Sequence, residues 1–160
     1  MPIIRGYANL YLSQAPSGLA PGEWVAYLPG AFTPALAGCT VANIDHRPET
    51  VFASTRDGSL RLRTDDLGLL AEISPWSNHD SAKQVLSHFA RGGAWRMSFH
   101  AFHEPRDEVF VTIGGQRVRA VKRVRELRDV CLTTHPRFSE TVAILMSDHH
   151  NTRGTRCLTI

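Results

Sequence analysis

The chain has 160 residues, of which 42% are apolar and 21% charged, and its formal net charge at pH 7 is +3. This length is typical of one domain, and no stretch approaches the ~20 apolar residues that a membrane-spanning helix needs. Because the N-terminus also lacks the charged region, apolar run and cleavage site of a signal peptide, we expect a cytoplasmic protein rather than a membrane protein.

The N-terminal half consists of short apolar runs separated by Pro, Gly, Asp and Ser, a pattern typical of short β-strands joined by turns. Between residues 1 and 73 the sequence predicts strands at 3–12, 24–28, 40–44, 51–54, 59–63 and 69–73. Thr33 followed by Pro34 predicts a short helical turn over 33–37. The turn sequence Arg56-Asp57-Gly58 predicts that the strands on either side of it pair as a hairpin.

One helix, over about 80–91, is the clearest element of the C-terminal half, because its apolar residues recur at helical spacing and Gly92-Gly93 follows them. Further strands are predicted at 94–102, 109–113, 117–124, 130–134 and 141–145, with a tight hairpin at Gly114-Gly115. The polar segment 147–160 is predicted to be a flexible tail, which leaves 1–146 as the domain. This order of elements predicts a mainly β protein with helices (α+β), an antiparallel β-barrel that is closed or nearly closed.

Neither the cysteines nor the basic residues indicate a metal site or a nucleic-acid site. Cys39, Cys131 and Cys157 have no CxxC spacing, so free thiols in a reducing compartment are the expected state. Six Lys and Arg residues lie between Arg117 and Arg128, but no aromatic residues alternate with them to stack on bases. We interpret this segment as a solvated strand face, with nucleic-acid binding as the weaker alternative.

The residue types needed for nucleophilic hydrolysis occur beside predicted strands: Ser98 within an apolar run, His46 at the end of another, and Asp129 just before a third. Imidazole titrates near neutral pH, so His46 can take the proton of a serine hydroxyl, and a carboxylate can orient the imidazole. On residue type alone each has a simpler explanation: a structural serine, a surface-turn histidine, and an ion pair of Asp129 with Arg125 or Arg128.

Several short motifs occur in a distinctive order. Leu28-Pro29-Gly30-Ala31-Phe32 is followed by Asp45-His46, by the turn and strand of residues 55–62, by the glycine-led strand of residues 93–99, and by the acidic block of residues 126–130. In order and spacing, over roughly residues 4–138, these motifs resemble the prohead (capsid-maturation) serine proteases of tailed bacteriophages, which are distantly related to the herpesvirus assemblins.

The resemblance implies an assemblin-like barrel with one long helix, and it implies catalytic roles. Ser98 would be the nucleophile, His46 the general base and Asp129 the acid that orients it. Apart from the resemblance, the chemistry needs a donor for the oxyanion, and Arg137 is the candidate, with a solvated surface arginine as the alternative. The herpesvirus relatives have a histidine as the third member, so His135 and, less strongly, His100 are alternatives to Asp129.

Five positions depart from the family pattern. Asp129 stands where Glu is usual, and His100 stands where a glycine usually follows the strand's Phe99. Cys131-Leu132 replaces a Ser-Pro pair, and Arg137 replaces a small residue. The changes at residues 100 and 129 keep a non-catalytic assembly module of the same fold, which only binds capsid or scaffold protein, as the alternative function.

Two other chemistries are disfavoured. His100 and His103 would point to opposite faces of a strand, and Asp148-His149-His150 lies in the predicted tail, so we expect no metal ion. Cys131 with His135 makes a poor nucleophile pair, because nothing nearby in the sequence would activate the thiol. The implied chemistry needs no cofactor.

The function implied by the resemblance is serine endopeptidase activity in phage head assembly. The substrate would be the scaffold segment of the major capsid protein or a separate scaffold protein, and also the protease chain itself. We expect the protein inside the immature prohead, in the cytoplasm of the bacterial host, and the herpesvirus relatives suggest a homodimer.

Overall fold

Twelve short strands and one α-helix form the part of the chain that the structure describes, residues 1–146 of a computed structural model. The strands are β1 (Ile3–Leu10), β2 (Ala15–Pro16), β3 (Trp24–Tyr27), β4 (Val41–Ile44), β5 (Ala53–Ser54), β6 (Leu60–Thr64), β7 (Gly68–Ile73), β8 (Arg96–Phe102), β9 (Glu108–Ile113), β10 (Gln116–Val121), β11 (Glu126–Thr133) and β12 (Ala143–Met146). The helix, α1, is Asp80–Ala90, and short 3-10 turns lie at Thr33–Ala37, Pro48–Thr50 and Pro105–Asp107. The predicted tail, 147–160, lies outside the described residues.

The strands pair into three four-stranded sheets, with the orders β12-β1-β7-β6, β2-β3-β10-β9 and β5-β4-β11-β8. The mainly β class is therefore confirmed, but among residues 1–146 no sheet closes on itself, so the predicted barrel is wrong. Within residues 1–146 the sheets meet through apolar side chains and one isolated bridge, between Trp95 and Ala143, instead of a continuous hydrogen-bond ladder. The strands are not all antiparallel either, because β3 runs parallel to β10 and β4 runs parallel to β11.

Of the two predicted hairpins, one is confirmed and one is wrong. Gly114-Gly115, both with positive φ, join β9 to β10 in the expected hairpin. The chain also turns at Arg56-Asp57-Gly58, but β5 pairs with β4 and β6 pairs with β7, in different sheets. Side chains hold this turn: the Ser59 N–H donates to the Asp57 carboxylate, and the Ser54 N–H donates to the Ser59 hydroxyl. Because these side chains stabilise the turn, β5 and β6 need not pair with each other.

The helix predicted over about 80–91 is observed as α1, but its 11 residues make three turns, an ordinary length and not a long helix. Gly92, with a φ of 78°, ends the helix. Its N–H donates to the Phe89 carbonyl, and the Gly93 N–H donates to the His88 carbonyl, which is the Schellman pattern. No helix within residues 1–146 has both the length and the apolar character needed to cross a membrane.

Aromatic rings form the core beneath β8. The Phe99 ring packs edge-on against Tyr27 and Phe32, with centroids 5.0 and 5.1 Å away, and stacks on Phe138 at 6.0 Å. Aromatic pairs in these arrangements contribute about 0.5–1.5 kcal/mol each beyond the area that they bury. Because side chains alternate along a strand, packing of the partly buried Phe99 against these rings directs its neighbours Ser98 and His100 to the opposite face.

Gly68, the first residue of β7, lies against the backbone of β1 with no room for a side chain. A Cβ at this position would stand 2.0 Å from the Asn9 carbonyl oxygen. We predict that Gly68→Ala forces β7 away from β1 and lowers the free energy of unfolding by about 1–3 kcal/mol, the usual cost of overpacking. Urea unfolding measures this change.

Gly38→Ala is the control. Gly38 has an ordinary φ of −79°, and a Cβ there would stand 3.3 Å from its nearest atom, the Ala35 carbonyl oxygen, which would need to move by only a few tenths of an ångström. We expect a smaller loss of stability in this variant than in Gly68→Ala. Equal unfolding midpoints for the native protein and Gly68→Ala would contradict the close packing of β1 and β7.

Candidate active site

The antiparallel pair of β8 and β11 places four reactive side chains on one face of the third sheet. Ser98 lies opposite Cys131, and His100 lies opposite Asp129. Directly opposite residues of an antiparallel pair project from the same face, with Cβ atoms about 4.5–5.5 Å apart. A hydroxyl, a thiol, an imidazole and a carboxylate therefore share one small area of the sheet.

A β-bulge in β11 brings the carboxylate to this face. The pairing passes from Leu127–Ala101 directly to Asp129–His100, which leaves Arg128 as an extra residue. Without the bulge, Arg128 would lie opposite His100. Bulges of this kind often redirect side chains beside active sites, and this one replaces a guanidinium by a carboxylate.

A tight turn after β4 carries His46 to the same site. Asp45 and His46 have φ values of 51° and 59°, and the Arg47 N–H donates to the Ile44 carbonyl at 3.0 Å. Positive φ at both central residues is the pattern of a type I′ turn. For residues other than glycine this conformation is strained, and such strain concentrates at functional sites.

His46 contacts two side chains of β11, one with each ring nitrogen. Nδ1 lies 2.6 Å from Oδ1 of Asp129, and Nε2 lies 3.4 Å from Sγ of Cys131. The carboxylate is buried, and its Oδ2 lies 4.0 Å from Nδ1 of the exposed His100. The structure thus builds a carboxylate–imidazole pair, with a second imidazole at its edge.

These contacts change the protonation of His46. The hydrogen bond to Asp129, followed by that to Cys131, raises the pKa of His46 to about 10, although partial burial opposes the rise. At pH 7 the resting ring is therefore an imidazolium, which donates from Nδ1 to the carboxylate and from Nε2 to the sulfur. It must lose the Nε2 proton before it can act as a base.

We predict that the His46 ring titrates near pH 10 and not near its ordinary 6.5. Because the pKa is raised in the folded state, the pair stabilises the protein fully below about pH 6.5, and this contribution is lost as the pH rises through about 10. Imidazole ¹H–¹⁵N NMR across this pH range measures the midpoint. In Asp129→Asn the midpoint should fall towards 6.5, whereas a native midpoint already near 6.5 would contradict the pairing.

Ser98 lines a small cavity of about 80 Å³ beside this pair, together with Tyr27, His100, Arg137 and Phe138. Ser98 itself is 6% exposed. Its hydroxyl makes no hydrogen bond to any of the described residues, His46 included. The structure therefore brings Ser98 to the same face as His46 and Asp129 but leaves Nε2 bonded to Cys131.

Two further residues predicted for the site lie near its margin. Arg137 lines the cavity, and its Nε and Nη2 donate to the Pro16 carbonyl at 3.1 and 2.8 Å. Nη2 also bonds the Ser17 carbonyl. His135 is exposed, and its Nδ1 lies 2.9 Å from the Thr134 hydroxyl. It is Asp129, and not His135, that the structure places against His46.

The residues weighed as metal ligands do not come together. His103 lies 2.9 Å from the Glu108 carboxylate, whereas His100 lies near Asp129. Within residues 1–146 no group of three His, Cys, Asp or Glu side chains is arranged to hold a metal ion. Asp148-His149-His150 lies outside the described residues.

Cys131 is the site residue that sequence reasoning missed. The sequence pattern suggests only His135, which lies nearby along the chain, as a partner for its thiol, whereas in the structure the thiol contacts His46. One signal was present: Asp129 and Cys131 are two residues apart on a strand, so they share a face. A prediction that Asp129 binds His46 could therefore have placed the thiol beside the same ring.

The chain is similar to known proteins. The model of a family described as caudovirus prohead serine protease matches residues 1–154. No curated protein matches the chain. Among solved structures, a crystal structure of KSHV protease in complex with a hexapeptide phosphonate inhibitor is similar, with 17% identity and a TM-score of 0.47. The similarity covers 92% of this chain but 65% of the KSHV protease chain.

Because the family model spans nearly the whole chain, this protein belongs to the caudovirus prohead serine protease family.

Proposed function

We propose that the chain is a serine endopeptidase of capsid maturation, which cleaves the scaffold segment of the major capsid protein, or a separate scaffold protein, inside the immature prohead. Membership of the family supports the class of reaction. The observation that carries the proposal for this chain is the 2.6 Å contact between His46 and Asp129, on the sheet face that also bears Ser98.

The proposed mechanism is acyl transfer. Ser98 Oγ attacks the scissile carbonyl while Nε2 of His46 takes its proton, and Asp129 stabilises the imidazolium that forms. His46 then returns the proton to the leaving amine. Water, activated by the same nitrogen, hydrolyses the acyl-enzyme and restores Ser98.

The tetrahedral intermediate needs donors for its oxyanion, and we propose that Arg137 supplies one. Arg137 lines the cavity together with Ser98. Because Nε and Nη2 already bond Pro16 and Ser17, the nitrogen available for this role is Nη1, which has no hydrogen bond within residues 1–146. The two anchored nitrogens would fix its position.

The position of β8 supports access by a peptide. β8 is an edge strand of the third sheet, and Ser98 lies in its middle. An edge strand presents free backbone groups to which an extended peptide can pair. A scaffold segment bound in this way would pass its backbone directly across the nucleophile.

The non-catalytic binding module remains the second candidate, and the contact of His46 Nε2 with Cys131 instead of Ser98 is the observation that favours it. Cleavage of the protease chain itself and formation of a homodimer also remain predictions.

Co-expression with the neighbouring capsid gene product tests the proposal. The intact mass of the capsid protein is compared after co-expression with the native chain and with Ser98→Ala. A truncation seen only with the native chain would support the protease and identify the cleaved bond. Full-length capsid protein in both cases, with both proteins co-assembled, would favour the binding module.

A further inference from the structure

We infer that Cys131 is a positioning residue of this site, whose thiol binds Nε2 of His46 in the resting protein and withholds that nitrogen from Ser98 until the imidazole rotates towards the serine. The inference rests on the proposed function, because it takes Ser98 as the nucleophile.

The first step is that only one nitrogen of His46 can serve as the base. Nδ1 is bound to Asp129 at 2.6 Å, so proton transfer from Ser98 must use Nε2. That nitrogen lies 3.4 Å from the Cys131 sulfur, a hydrogen-bond distance for sulfur. In the resting site Nε2 is therefore bonded to the thiol, whereas the mechanism requires Nε2 to be bonded to the serine hydroxyl.

The second step is that the two competing groups are neighbours. Ser98 and Cys131 are direct cross-strand partners, so their Cβ atoms lie about 4.5–5.5 Å apart on one face. The Ser98 hydroxyl has no hydrogen-bond partner within residues 1–146. A small rotation of the imidazole about its own side-chain bonds would transfer Nε2 from one group to the other.

The third step separates a positioning role from a nucleophilic one. Cys131 is 1% exposed and does not line the cavity, whereas Ser98 is 6% exposed and does. A carbonyl entering the cavity would therefore meet the hydroxyl and not the thiol. Cys131 can act on the reaction only through His46.

A substitution of Cys131 does not replace the other charged and titratable groups near His46. Asp129 approaches from β11, the half-exposed His100 ring lies 6.2 Å away on β8, and Asp45 precedes His46 in its own turn. The hydrogen bond that Nε2–H of His46 donates to the Cys131 sulfur favours the protonated imidazole. Removal of the thiol should therefore release the Nε2 proton at lower pH.

The test uses the full-length protein and two readouts that need no natural substrate: the NMR titration midpoint of His46, and the rate at which a fluorophosphonate labels Ser98 at pH 7. We expect Cys131→Ala to lower the midpoint, because the hydrogen bond to the sulfur raises the pKa of His46. Labelling should become about tenfold faster for each unit, because the neutral fraction of the imidazole rises by that factor.

Cys131→Ser keeps a side chain that can hydrogen-bond, although its shorter C–O bond holds the oxygen farther from Nε2 than the sulfur. It should therefore give intermediate values, and it guards against a folding defect in the alanine variant. Cys39→Ala is the matched control, because Cys39 is an exposed free thiol 4.0 Å from the Ser54 hydroxyl. It should change neither readout.

An unchanged midpoint and labelling rate in folded Cys131→Ala would overturn the inference. So would fluorophosphonate labelling of Cys131 in Ser98→Ala, because the thiol would then be a nucleophile. If the midpoint falls in Cys131→Ala but Ser98 is labelled in no variant, the positioning of His46 by Cys131 stands and the proposed protease function fails.

Discussion

Ser98→Ala is expected to abolish detectable cleavage of the capsid protein, with a fall in turnover on the order of 10⁶. The alanine has no atom that can form the acyl-enzyme, and a water in its place would lack the position of the hydroxyl. The Ser98 hydroxyl makes no hydrogen bond within residues 1–146, so its removal should leave the fold and the pair of His46 and Asp129 intact. Single-turnover cleavage of purified capsid protein measures the loss.

Ser87→Ala, on the exposed side of α1, is the matched control and should cleave at the native rate. The unfolding midpoint of Ser98→Ala should stay near the native value. This measurement distinguishes a loss of catalytic activity from a loss of folded protein. Cleavage by Ser98→Ala within tenfold of native would show that another group is the nucleophile, and inhibition of that activity by iodoacetamide would identify it as a thiol.

Asp129→Asn is expected to lower kcat on the order of 10⁴ with little change in KM, because a neutral amide neither holds the required tautomer nor stabilises the imidazolium. The carboxylate is the largest cause of the raised pKa of His46, so the variant should also move the acid limb of the pH–rate profile to lower pH. Initial rates measured between pH 6 and 10.5 separate the two effects.

Glu126→Gln is the control for the loss of a carboxylate from β11, because Glu126 is exposed and contacts Arg128 on the surface. It should leave kcat unchanged. A fall of less than tenfold in Asp129→Asn, together with a large loss in His135→Ala or His100→Ala, would assign the third catalytic position to a histidine.

The sequence predicted local elements best where a few neighbouring residues determine the backbone. Gly114-Gly115 can form the tight turn of a two-residue hairpin, and Gly92-Gly93 can end a helix, so β9–β10 and α1 were found nearly at their observed bounds. The motifs around His46 and Ser98 indicated the family, which the family model then showed. These features depend on short segments, and a sequence displays them directly.

Strand pairing could not be predicted in the same way. The turn at residues 56–58 suggested a hairpin, yet β5 and β6 belong to different sheets. β4 pairs in parallel with β11, about ninety residues later in the chain, and no local pattern indicates this partner. The choice depends on which arrangement buries the apolar faces of all strands together, so the barrel prediction failed although most strands were located correctly.

The sequence by itself determined which chemical groups are present: Ser98, His46 and Asp129, on or beside strands whose apolar residues drive them into one core. Only the tertiary structure decided their geometry. The bulge at Arg128 turns Asp129 into the site, and the register of β8 against β11 sets Cys131 opposite Ser98. The register of two strands depends on contacts between distant segments, and a shift by one residue would turn these side chains to the other face. Which residue bonds Nε2 of His46 is therefore decided by the fold and not by the local sequence.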